Sequence, residues 1–325
     1  MPLPTVLVTE VIRSSHQGQS HGGAHLVNLE TGEHRRVLDW NEMDIDWSGR
    51  GGGRGLRGVA VWNEIVAIGA GNELFLFDPA FNLLGSYPAP YCKDCHEIFA
   101  DGPTLLITAT GFDALLEFDL RERRFTGAYR FGIDTVRVNT ARGPAIMQGV
   151  VAKRFDPNRA DGPPARDSMH INMVWREQGR TFICGTGLDA LLSSAPGTAE
   201  GLYRPVARVP TMTHNCRPFR DGVIYNATQQ ERIVYADNAG NARVSMTIPR
   251  FPRERLINHG LPEDHARPDF GRGLATTDDG VVVGAASPST ITAYDLDSGR
   301  QVRSVNLTGD VRNAPHGLEV WPFGF

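Results

Sequence analysis

Six times along the chain a histidine or arginine stands at the head of a short apolar run that opens a four-strand repeat. The six are Arg57 (RGVAVW), His96 (HEIFAD), His170 (HINMVW), His214 (HNCRPF), Arg272 (RGLATT) and His316 (HGLEVW). Repeats of this size close into rings, because one unit cannot bury its own apolar face and stacking on neighbours can. Closure would gather four imidazoles and two guanidiniums around one axis.

Residues 96–131 give the clearest unit. An inner strand (HEIFA) turns at Asp101-Gly102, a second (TLLITAT) turns at Gly111, a third (ALLEFDL) ends in a charged turn, and a fourth (FTGAYRF) follows. The same order recurs from Arg57, His170, His214 and Arg272. The spacings 96 − 57 = 39, 214 − 170 = 44 and 316 − 272 = 44 match the roughly 40 to 45 residues of a propeller blade. The gaps 170 − 96 = 74 and 272 − 214 = 58 contain insertions.

A sixth unit is split. The N-terminal stretch starts at a second strand (PTVLVTEV) and lacks an inner one, while HGLEVWPFGF at the other end supplies it. Joining the two leaves no sheet edge to protect at the seam. The expectation is all-β: a six-bladed β-propeller of four-stranded blades, a single domain over 1–325, closed by the C-terminal strand completing the N-terminal blade. Two stacked β-sandwiches would leave the split repeat unexplained.

The insertions at 41–53, 132–169 and 250–271 each lead into an inner strand, so they are expected as loops over the channel mouth, where function concentrates. His16, His21, His25, His259 and His265 fall in or beside such connections.

A net charge of −4 supplies no field for attracting nucleic acid or an anionic membrane, and neither partner is expected. The chain shows no targeting segment and no long apolar run, which predicts a cytoplasmic protein. Its four cysteines, Cys92, Cys95, Cys184 and Cys216, are too few for a disulfide framework. Cys92-Lys93-Asp94-Cys95-His96 matches the haem-attachment pattern, but the repeat already accounts for His96, so no haem is expected. Residues 49–55, GRGGGRG, lack the strand-to-helix setting of a nucleotide-binding loop.

Metal sites need several imidazoles or carboxylates from distant parts of a chain, and circular repetition supplies them. His96, His170, His214 and His316 are the candidate ligands, suited to Fe(II) first and to Mn(II), Zn(II) or Cu(II) after it. Arg57 and Arg272 are the candidate substrate-binding residues, able to hold a carboxylate or phosphate in two-pronged fashion; Arg54 would replace Arg57 if the register slipped. The competing structural role makes each histidine a packing device bonded within its own blade, with Asp113 or Asp189 as partner.

The four-histidine ring resembles the site logic of the carotenoid-cleavage oxygenases, whose propeller histidines hold a non-haem iron; their sequence motifs do not match. The segments TMTHNCRPFRDGVIYN and GRGLATTDDGVVVG are similar to those of an uncharacterised bacterial family of six-bladed propellers with a Met-x-His-x-x-Arg hallmark, here Met212, His214 and Arg217. That resemblance implies the fold and no activity. The functional expectation is a non-haem Fe(II) oxidoreductase of oxygenase type acting on a small acidic substrate. A Mn- or Zn-dependent lyase or hydrolase is one alternative, and a non-catalytic propeller binding protein or sugar through its loop face is another.

Overall fold

A computed structural model describes residues 2–47, 53–140, 143–261 and 267–325. Strands β1 (Thr5–Ile12), β2 (Gly22–Asn28) and β3 (His34–Trp40) come first. Then follow β4 (Leu56–Trp62), β5 (Ile65–Ala70), β6 (Glu73–Phe77) and β7 (Leu83–Pro88). The next group is β8 (Cys95–Asp101), β9 (Thr104–Ala109), β10 (Ala114–Asp119), β11 (Arg124–Thr140) and β12 (Gly143–Phe155). After it run β13 (Ile171–Glu177), β14 (Arg180–Gly185), β15 (Ala190–Ser193) and β16 (Gly201–Arg208), then β17 (Thr213–Phe219), β18 (Gly222–Ala227), β19 (Arg232–Ala236) and β20 (Ala242–Thr247). The last are β21 (Gly271–Thr276), β22 (Val281–Ala286), β23 (Thr290–Asp295), β24 (Gln301–Asn306) and β25 (Asn313–Val320). Among the described residues there is no α-helix, and no helix long and apolar enough to cross a membrane.

Among the described residues the strands form five antiparallel sheets. Four have four strands each, and one has nine, in the order β13-β14-β15-β16-β12-β11-β10-β9-β8. β25 pairs with β1, so the C-terminal strand completes the N-terminal sheet as the split repeat requires. The first strands β4, β8, β13, β17, β21 and β25 touch one another in cyclic order, β25 returning to β4.

Turn chemistry explains why the meanders form. At the third-to-fourth-strand turn, Asp78, Asp119, Asp237 and Asp295 each accept backbone N–H groups two to four residues on. Asn28 does the same in the first sheet. Such side chains stand in for a backbone acceptor and close the turn locally. Six apolar clusters then fill the spaces between successive sheet faces, Ile68 and Leu26 in one, Leu116 and Leu76 in the next. Fully burying each such side chain contributes about 1.5–3 kcal/mol.

The expected loop at 132–169 is largely strand. Residues through 155 extend β11 and return as β12 in a long hairpin, and β12 also pairs with β16 through Val150, Val151 and Ala152. β12 thereby stitches two outer strands into one sheet. The short alternations Phe131-Ile133, Val136-Val138 and Val150-Ala152 carried this signal, hidden by the length of the gap. Residues 250–261 are irregular apart from a 3-10 turn at Arg253–Arg255, and Ile257 bridges to Asp310. His265 and Gly49 to Gly52 of the glycine-rich run lie outside the described residues.

Candidate axial site

Each inner strand breaks register with its neighbour once, at the same level. Between Leu56 and Val59, Cys95 and Ile98, Gly271 and Leu274, and Pro315 and Leu318, two residues of the inner strand face one of the next. A bulge of this kind turns a side chain away from the ordinary alternation. Arg57, His96, Arg272 and His316 are the first residues of those four bulges.

The other two histidines sit differently. In β17 the bulge falls at Asn215-Cys216, between His214 and Arg217, so Asn215 holds the position that Arg57 and His96 hold elsewhere. Asn215 adopts φ +53°, a conformation asparagine accepts more readily than most residues. The sequence register was one residue early here, because the histidine marked it and the asparagine did not. His170 precedes β13, at φ +49°, and its imidazole Nδ1 donates to Asp167 at 2.9 Å.

Proximity follows ring order. The His96 imidazole centroid lies 5.0 Å from that of His170 and 5.7 Å from that of His316. Arg272 stacks its guanidinium on Phe270 at 4.3 Å, and His214 meets the same ring edge-on at 5.3 Å. Arg57 donates to Asp94 at 2.7 Å. Phe270 and Asp94 are contributors that the repeat pattern concealed, since they lie in the segments leading into the inner strands.

Electrostatics are one-sided. Burial first, then Arg57, His170 and Arg272, hold His96 well below the usual imidazole range. Burial followed by Arg272 and His170 does the same to His214. For His316 the causes are burial, Arg272, Arg57, His96 and Arg13. All three are neutral near pH 7, and Arg272 acts on each. His96 Nδ1 donates to the Asp94 carbonyl at 2.9 Å, which leaves its Nε2 with a lone pair. His214 Nδ1 and His316 Nε2 are buried without a protein partner.

The proposed packing partners act elsewhere. Asp113 accepts from the backbone of Ser168, Met169 and His170 and touches no imidazole. Asp189 offers its carbonyl to Val209. Arg54 is buried and donates to the Ser15 carbonyl. His21 is a core residue, accepting from Gly55 N and donating to Glu42 O. His25 pairs with Glu10 at 3.1 Å; His16 and His259 are exposed.

Among the described residues no three or more His, Cys, Asp or Glu side chains assemble to hold a metal ion. Arg57 and Arg272 both act on His96 and His316, so a dication beside those imidazoles would face two positive charges, with Asp94 and Asp167 already engaged. His96 meets His170 and His316, while His214 lies against Phe270. All four cysteines are free and buried. Hydrogen bonding to Cys95 and burial push the Cys92 thiol up, and burial with a bond to Cys184 does so for Cys216.

No family model and no curated protein matches the sequence. Solved structures do. A protein of unknown function from Bacteroides caccae matches with 10% identity over 96% of this chain and 99% of its own, at a TM-score of 0.55. The computationally designed Ika8 protein aligns at 12% identity over 98% and 91%, TM-score 0.49. An inactive virginiamycin B lyase from Staphylococcus aureus, solved with quinupristin, aligns at 13% identity over 81% and 73%, TM-score 0.46. Only the first passes 0.5, and at that identity it bears on fold alone. The class is an all-β protein of β-propeller type.

Proposed function

We propose that the chain is a six-bladed propeller whose axial channel binds and acts on a small anionic molecule, a carboxylate or phosphate. The blade count reads the nine-stranded sheet as two four-stranded blades joined by β12, in keeping with six inner strands in cyclic contact. One observation carries the ligand class: Arg57 and Arg272 both act on His96 and His316, and Arg272 shares the Phe270 ring with His214. Guanidiniums recognise planar oxyanions in two-pronged fashion, and neutral imidazoles can donate to the anion or take a proton from it. Enclosure strengthens both effects by excluding competing water.

Malonate, which is fully ionised near neutral pH, is the probe. Calorimetry should give saturable binding to the intact protein, weakened about 100-fold or more in Arg272→Met and in Arg57→Met. Unaltered binding in both variants would dismiss the anion reading. Metal analysis of tag-free protein gives the contrary outcome: about one equivalent of metal, lost in His96→Ala, would restore a metal centre.

A further inference from the structure

The outer hairpin carries a surface that its own chain leaves uncovered. β12 pairs with β16 only through Val150, Val151 and Ala152. Beyond Tyr203, the partner of Val150, β16 follows β15 through Arg204, Pro205, Ala207 and Arg208. Residues 144–149 of β12 go on without it, held by β11 on one side. Among the described residues no strand pairs with their other edge. Alternate residues of an antiparallel strand turn their N–H and C=O groups to opposite edges, so this edge presents a row of main-chain groups with no partner strand.

The same stretch is apolar. Ile146 is 70% and Met147 47% exposed, and Ile133, which faces Val150 across the hairpin, is 63% exposed. At the fork where β12 and β16 part lies a cavity of about 540 Å³, walled by Ile133, Met147, Val150, Leu188, Leu192 and Leu202. From Pro144 to Ala152 the sequence PAIMQGVVA holds no charged residue, whereas β11 carries Asp134 and Arg137 opposite it. Open edges are ordinarily guarded by charge or proline. Here Pro144, near the tip, is the one guard.

These features select the occupant. A strand that pairs antiparallel with its own copy sets like residues near one another across a two-fold axis, where any charge would meet itself. Residues 144–152 carry none. Centred on Met147, the pairing sets Ile146 of one copy opposite Gln148 of the other, and Gln148 lines the cavity. Projection and hollow thus lie on one surface, as a self-complementary contact requires. An edge of six residues is about 20 Å long, and its ladder alone covers less than the roughly 800 Å² per partner of a standard interface. Filling the cavity supplies further apolar area.

We infer that β12 is the dimerisation strand of this protein: the open edge at residues 144–149 pairs antiparallel with the same edge of a second copy, each seating Ile146 at the other's cavity. The contact is separate from the axial ring and stands whether or not an anion binds there.

Sedimentation velocity of the intact protein, from about 1 to 200 µM, tests this. The native chain should pass from one copy to two across that range. Met147→Lys and Met147→Glu each set like charges across the axis and should each weaken the dimer by about 10-fold or more. An equal mixture of the two should restore it to within about 3-fold of native, because unlike charges then meet. The side chain is exposed, so equal thermal midpoints for the dilute proteins are expected and separate lost pairing from lost folding. A native protein still monomeric at the highest concentration overturns the inference and leaves the edge to another partner. A dimer indifferent to both substitutions, or a mixture no tighter than either variant alone, overturns the assignment to β12.

Discussion

The carboxylate of Asp113 accepts the main-chain N–H of His170 at 3.1 Å, and with it those of Met169 and Ser168 and the Ser168 hydroxyl. Asp113 is fully buried, and these bonds tie the 156–169 return to the β9–β10 turn just before β13 begins. The carboxylate positions His170 through its backbone, which lets the imidazole serve the ring.

Removing that acceptor should cost more than an ordinary surface change. Asp113→Ala leaves the buried Met169 N–H and the half-buried Ser168 and His170 N–H groups without their acceptor, so a loss of about 2–4 kcal/mol is expected in urea denaturation, with Asp113→Asn losing roughly half. A loss under about 1 kcal/mol for the alanine variant would show that other groups hold the segment.

Acid should weaken the fold in the histidine window. His96, His214 and His316 have folded-state pKa values depressed below 6.5, so unfolded chains bind protons first as pH falls. Stability is therefore fully present above about pH 6.5 and declines as pH drops toward the folded values, by at most about 1.4 kcal/mol per pH unit for each group. Denaturation midpoints at descending pH check this: a triple His→Gln variant should lose much of the slope between about pH 6.5 and 5, and malonate should lessen it in the native protein.

Crowding at the bulge gives a third prediction. A Cβ on Gly317 would meet the Arg57 carbonyl at 2.3 Å and Thr9 Oγ1 at 2.8 Å, so Gly317→Ala must push β25 off β4. About 2–4 kcal/mol of destabilisation is expected. Gly102→Ala provides the contrast: no atom lies within 4 Å, and only its φ of +58° resists the change, at about 1 kcal/mol. Equal costs for the two, measured by thermal unfolding, would contradict the tight ring.

Much of the architecture was written in local pattern. Asp and Asn at strand ends, period-two alternation and the orphaned terminal strand are short-range signals, and each led to the sheet that forms. The hairpin of β11 and β12 escaped because its alternation lay in a gap too long for one repeat, and its partner β16 comes 46 residues beyond the end of β12 (201 − 155). Asn215 escaped because a bulge shifts register by one residue without changing the composition around it.

The sequence by itself determined the repeat, its closure through the terminal strand, and the recurrence of basic residues at one level. Only the tertiary structure decided their surroundings: Arg57 paired with Asp94, Arg272 stacked on Phe270, and His96 in ring contact with His170 and His316. Protonation and charge balance depend on burial and on neighbours 100 or more residues away, such as Asn215 for Glu97, and no local pattern carries that information.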